Sequence, residues 1–184
     1  VNLSGGDGND TLSIRNGAQL AGSFVGGNNT DTVDLSAFIA STSQSITIQS
    51  LTSDGFRLAV AGTITGTADD IESLAGSAGN DRLTGLNAEA TWLLTSNDKY
   101  VTSGETLTAT SIEERFGGSD ADTFSVQVEA ISSTADHVLD GGDGDDLFEI
   151  SFGAGQRLSA NATLGIDGGG PDANALEDGD VINF

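Results

Sequence analysis

The sequence contains no cysteine and no methionine, which rules out a disulfide framework and a thiolate metal site. Basic side chains are scarce: 6 Lys and Arg stand against 28 Asp and Glu, a net charge of −22. So acidic a chain is a poor partner for nucleic acid or an anionic membrane surface and a natural one for cations. No apolar run approaches the roughly 18–20 residues of a spanning helix, so membrane insertion is not expected. Val1-Asn2-Leu3-Ser4 runs into the first repeat without a signal-peptide pattern, as in a segment cut from a longer repeat array. Proline occurs once and apolar residues make up 36%, low for a compact core but sufficient for a thin, elongated one.

Glycine, by contrast, is abundant, with 26 residues, and it is placed in a pattern. In Gly141-Gly142-Asp143-Gly144-Asp145-Asp146-Leu147-Phe148-Glu149-Ile150 the first half is a turn and the second a strand of alternating polarity. Paired glycines can take φ > 0 and leave carbonyls open, and the carboxylates gather negative oxygen round the bend, a chemistry suited to hard cations. Gly5-Gly6-Asp7-Gly8-Asn9-Asp10-Thr11-Leu12 is a near copy, and Gly26-Gly27-Asn28-Asn29-Thr30-Asp31 keeps the glycines and the last Asp. Weaker copies start at Gly76, ending in Asp81, and at Gly117, with Asp120 and Asp122. A sixth opens at Gly168, carries an insertion around Pro171 and resumes at Asp180-Val181-Ile182.

This G-G-x-G-x-D-x-(apolar)-x pattern resembles the nonapeptide of the RTX, or haemolysin-type, calcium-binding repeats. Residues 5–13 and 141–149 match it closely. The resemblance implies Ca²⁺ held between stacked turns, a β-roll-like fold, and a secreted or cell-surface bacterial protein such as a large adhesin. The candidate ligand positions are Gly5, Asp7, Gly8, Asp10, Gly26, Asp31, Asp81, Asp120, Asp122, Gly141, Asp143, Gly144, Asp146 and Asp180. Stacked turns would set Asp10 over Asp31 and Asp122 over Asp146, and Ca²⁺ would relieve the repulsion, its 6–8 oxygen ligands drawn from carboxylates and carbonyls. The competing use of the same residues is an Asx-turn that binds nothing.

The turns begin at residues 5, 26, 76, 117, 141 and 168, separated by 21, 50, 41, 24 and 27 residues. Weaker turns at 52–56 and 96–100 divide the two long gaps, which gives about eight rungs of a solenoid. The expected fold is therefore all-β, a right-handed parallel β-helix or β-roll-like solenoid forming one domain over residues 1–184. An apolar residue stands two before the glycine at Leu3, Phe24, Leu74, Leu139 and Ile166; Arg115 breaks the rule, so a bulge or shifted register is expected there. Residues 67–76 also match 108–117 at an offset of 41, each with an Ile-Glu step, which resembles linkers in very large bacterial surface proteins. Ser45–Gln49 and Phe56–Val60 read as half-buried strands, and no helix is expected.

Other constellations carry less. His137 beside Asp136 lacks a nucleophile and reads as a surface pair. Trp92 and Tyr100 could stack on a sugar but read better as strand packing. The pairs Asp69-Asp70 and Glu113-Glu114 place adjacent side chains on opposite faces of a strand, and Lys99, Arg57 and Arg115 are too scattered for a lyase base. The function expected is a non-enzymatic, calcium-stiffened spacer or scaffold whose partners are calcium and neighbouring repeats. A module gripping polysaccharide or a cell surface through a Ser/Thr and aromatic face is the first alternative, and a polysaccharide lyase or epimerase the second.

Overall fold

The computed structural model describes residues 1–39, 42–95, 97–127, 136–153, 162–170 and 180–183. The expected insertion around Pro171 and Ser96 of the 96–100 turn lie outside them. The described residues are all-β, with no helix, and their strands fall into two large mixed sheets. The chain divides into two compact units: residues 1–83 with 105–112, and residues 84–104 with 113–184.

In the first unit β1 (Asn2–Asp7) lies parallel to β3 (Ser23–Asn28), which lies parallel to β7 (Ala68–Ile71). In the other sheet β2 (Thr11–Ser13), β4 (Thr32–Asp34), β8 (Ser73–Ala75) and β12 (Glu105–Thr110) run parallel in that order. Asn2 pairs with Ser23 and Thr11 with Thr32, so the 21-residue spacing of the first two turns is one full circuit of the chain. The apolar residue of each strand therefore stacks on its counterpart: Leu12 on Val33 on Leu74 on Ala109.

The second and third circuits are separated by a hairpin. β5 (Ser45–Leu51) and β6 (Phe56–Val60) are antiparallel to each other, and β6 is antiparallel to β7. The expected rung turn at 52–56 is the tip of this hairpin, with Thr52 N donating to the Gly55 carbonyl at 3.0 Å. Alternation holds: Ile46, Ile48, Phe56, Leu58 and Val60 are buried, while Ser45, Thr47 and Gln49 face out. At about 1.5–3 kcal/mol for each fully buried large apolar side chain, the hairpin belongs to the core rather than to a surface loop. β9 (Arg82–Thr84) lies beside β5, where Arg82 N donates to the Gln44 carbonyl at 2.9 Å.

In the second unit β13 (Glu114–Gly118), β15 (His137–Gly142) and β17 (Leu164–Asp167) run parallel. So do β10 (Thr91–Leu94), β14 (Thr123–Gln127), β16 (Leu147–Ser151) and β18 (Val181–Asn183). The expected rung turn at 96–100 joins a second antiparallel hairpin, β10 with β11 (Asp98–Thr102). Both midpoint turns thus reverse the chain within a sheet instead of advancing a rung, and the expectation of about eight parallel rungs is corrected. Periodic spacing shows that a turn is present, but not whether the chain doubles back on its neighbour or crosses to the other sheet.

Arg115 is not bulged. It pairs in plain register with Leu139 and is 3% exposed, so the arginine occupies an interior apolar position. It is held there by Asp98 Oδ2 at 2.5 Å, and its other terminal nitrogen lies 3.4 Å from His137 Nδ1. Trp92, Phe124 and Phe148 occupy successive inward positions, with ring centroids 5.6 and 4.9 Å apart and interplanar angles of 2° and 11°. Trp92 and Tyr100 are 2% and 1% exposed, so neither forms a sugar platform. The 41-residue repeat is not a stacking repeat either: Leu74 pairs with Val33 and Ala109, and Arg115 with Leu139.

Candidate cation-binding turns

Five of the six glycine turns are built round one contact, between the first glycine and the aspartate five residues on. A Cβ added to Gly5, Gly26, Gly76, Gly117 or Gly141 would collide with Oδ2 of Asp10, Asp31, Asp81, Asp122 or Asp146 respectively. The same Cβ would meet a carbonyl from the stacked chain: Gly26 O at 2.6 Å for Gly5, Gly168 O at 2.7 Å for Gly141, and Asp70 O for Gly26. Glycine is required there because oxygens fill the space a side chain would take. The other carboxylate oxygen reaches the stacked aspartate. Asp10 N donates to Asp31 Oδ1, Asp122 N to Asp146 Oδ1 and Asp146 N to Asp180 Oδ1, each at 2.7 Å.

The aspartates are therefore stacked, Asp10 over Asp31 and Asp122 over Asp146, but carboxylate meets amide instead of carboxylate. Asp31, Asp122 and Asp146 are at most 2% exposed. Burial pushes Asp122 up to about 7 and Asp146 up to about 6 and also raises Asp31, the amide bonds acting in the opposite direction.

The turns separate by what happens to Oδ2. In the Asp122 turn Gly118 N donates to it at 2.9 Å, and Ala90 N donates to Oδ1 at 2.8 Å. Asp81 is similarly supplied, by Ser77 N and Oγ and by Gln44 N. Both carboxylates are satisfied as the Asx-turn alternative requires. In the Asp10, Asp31 and Asp146 turns the buried Oδ2 has no donor among the described residues. The backbone differs in step: Gly6, Gly27 and Gly142 have φ of 103°, 113° and 90°, whereas Ser77 and Gly118 are not in the left-handed region. Sequence marks the difference, because the two closest matches to the repeat pattern are among the three with a bare oxygen.

A buried carboxylate oxygen without a hydrogen-bond donor is unfavourable, and a proton or a hard cation relieves it. The Asp10, Asp31 and Asp146 turns therefore fit a cation such as Ca²⁺, with Gly26, Asp70 and Gly168 offering the adjacent carbonyls. Among the described residues no three His, Cys, Asp or Glu side chains form one group, so such an ion would draw on backbone oxygens.

The remaining candidates lie at the rim. Asp7 and Asp143 are exposed; Asp7 accepts from Asn28 Nδ2 at 2.7 Å, and Asp143 N donates to the Gly118 carbonyl at 3.0 Å. Asp120 is exposed, and Gly8 and Gly144 supply φ of 109° and 117°. Sequence reasoning missed Glu72, which takes the third place in the first unit's column: Asp31 N donates to Glu72 Oε2 at 2.6 Å. Its signal was the Ile-Glu step. Also missed were Asp140 and Asp167, neighbours across β15 and β17, whose Oδ1 atoms accept from Gly142 N and Gly169 N at 3.1 Å.

Fold and turns together define an all-β chain with stacked glycine–aspartate turns. No family model, curated protein or solved structure compared with the chain matches it.

Proposed function

We propose that the chain is a calcium-binding structural module, similar to RTX-type repeats, in which parallel rungs form a solenoid interrupted by two hairpins. The observation that carries this reading is the buried Oδ2 of Asp10, Asp31 and Asp146, without a donor among the described residues and sharing with a carbonyl of the stacked chain the space where the first glycine lacks a Cβ. An ion there links one turn to the next, so binding and folding are one equilibrium. A ligand at 100 times its Kd stabilises the state that holds it by about 2.7 kcal/mol per site. The role is that of a spacer or scaffold rather than a catalyst, in a secreted or cell-surface bacterial protein whose neighbouring repeats are its partners. Extracellular calcium would stiffen it, and the net charge of −22 favours an extended chain without the ion.

Far-UV circular dichroism and thermal melting in EDTA, in millimolar Ca²⁺ and in millimolar Mg²⁺ test this. A large rise in melting temperature with Ca²⁺ and a small one with Mg²⁺ are expected, because Mg²⁺ needs a tight octahedron and keeps its waters. Identical curves in all three would reject the reading and leave protonated carboxyls as the means of closing the turns.

A further inference from the structure

The third circuit of the first unit has no glycine turn. β7 ends at Ile71 and β8 begins at Ser73, leaving Glu72 alone at the corner where the preceding circuit uses the turn from Gly26 to Asp31. Yet every part of the glycine–aspartate device is present. Asp70 has φ 55°, and its carbonyl faces Gly26 as the Gly26 carbonyl faces Gly5. Glu72 Oε2 accepts the Asp31 amide at 2.6 Å, the role Asp31 Oδ1 plays for Asp10. The missing glycine comes from elsewhere in the chain. A Cβ on Gly55, at the hairpin tip, would collide with Glu72 Oε1, just as a Cβ on Gly5 would collide with Asp10 Oδ2. Gly55 is buried, with φ 112°.

Two oxygens there lack partners. Asp31 is 0% exposed and its Oδ2, which shares the space beside Gly26 with the Asp70 carbonyl, has no donor among the described residues; Glu72 Oε1 is a buried atom equally without one. Asp54 and Asp70 add negative charge that both carboxyls feel, although burial is the larger cause of Glu72 being raised to about 7. An uncompensated, desolvated site of this charge attracts a cation.

We propose that Asp31, Glu72 and the Asp70 carbonyl form a divalent-cation site of a second kind, assembled from two separated stretches of chain and closed by Gly55 of the β5–β6 hairpin. The proposal rests on the calcium reading above and deepens it at the Asp31 turn, adding a second carboxylate, Glu72, from outside the glycine repeats. Its consequence is that the ion fastens the hairpin to the circuits it interrupts. A longer side chain than Asp is needed because the corner has been shortened to Asp70-Ile71-Glu72.

The test is a Ca²⁺ titration of the whole chain, followed by amide NMR at Gly55 and Asp146 and by native mass spectrometry. Saturating shifts at both amides are expected, and Glu72→Gln should retain its strand-rich spectrum in Ca²⁺ while binding one ion fewer. A moving Asp146 amide with a stationary Gly55 amide would overturn the composite site and leave the calcium reading standing. If neither amide moves and no ion binds, both fail. An unchanged ion count in Glu72→Gln would likewise overturn the composite site, leaving Glu72 as a carboxyl that holds a proton. Should that variant not fold, Glu72→Asp, with a side chain one carbon shorter, decides by the same ion count: one ion fewer supports the composite site and an unchanged count overturns it.

Discussion

Two successive circuits of the second unit, β13 with β14 and β15 with β16, are stacked in register 24 residues apart, yet they solve the same turn differently. In the first, Gly117-Gly118-Ser119-Asp120-Ala121-Asp122 closes on itself: Gly118 N supplies Asp122 Oδ2, and no oxygen is left over. In the second, Gly141-Gly142-Asp143-Gly144-Asp145-Asp146 adopts positive φ at Gly142 and Gly144 and leaves Asp146 Oδ2 bare. Their interiors differ as well, with Arg115 where the next circuit has Leu139. The Oδ2 of one turn is supplied by that turn's own backbone, and the Oδ2 of the other has no donor among the described residues. The glycine–aspartate contact is thus a matter of shape, and whether Oδ2 is satisfied depends on where the second residue of the turn directs its amide.

The largest effect should come from making the interiors alike. Arg115→Leu leaves Asp98 without its buried partner and should cost about 3–5 kcal/mol in urea unfolding, with Arg115→Leu/Asp98→Asn recovering much of it. Recovery by the double variant separates loss of the pair from poor packing of leucine. Next, Gly141→Ala forces a Cβ into Asp146 Oδ2 and the Gly168 carbonyl and should cost about 3 kcal/mol.

Asp146→Asn and Asp122→Asn then address the turns directly. Asp146→Asn should lose about 2.7 kcal/mol of calcium-dependent stability at 100 times Kd. Asp122→Asn should lower stability equally in EDTA and in Ca²⁺. Equal calcium dependence in the two variants would erase the distinction drawn between the turns.

A smaller effect should follow pH. Burial, and then the neighbouring Arg115, depress His137 to about 4. A base depressed in the folded state supports stability above its unfolded value near 6.5 and loses that support as pH falls towards 4. Asp122, raised to about 7, acts with the opposite sign, its contribution being lost as pH rises through 7. The readout is therefore the difference between wild type and His137→Asn, which should shrink from pH 7 to pH 4.5. The smallest effect should be that of Asp120→Asn, an exposed residue: within about 0.5 kcal/mol, with no change in bound calcium by native mass spectrometry.

Much of this was legible in the chain itself. Strands, the absence of helix among the described residues, the turns and the stacking of Asp10 on Asp31 follow from alternation and a 21-residue period, because local chemistry produces both. Alternating Ile46, Ile48, Phe56 and Leu58 likewise announced two strands with one buried face. The same alternation could not say that these strands run antiparallel, since a side chain points inward in either direction.

By itself, then, the sequence determined the secondary structure and where oxygen-rich turns would fall: φ > 0, alternation and charge density are properties of a few adjacent residues. Tertiary structure alone decided that Ala90 N and Gln44 N reach the second oxygens of Asp122 and Asp81, that Arg115 is interior, and that Gly55 meets Glu72. Those outcomes depend on which distant amide or carbonyl arrives opposite a given oxygen. Partners 17 residues apart in sequence, as Gly55 and Glu72 are, carry no local mark of their meeting.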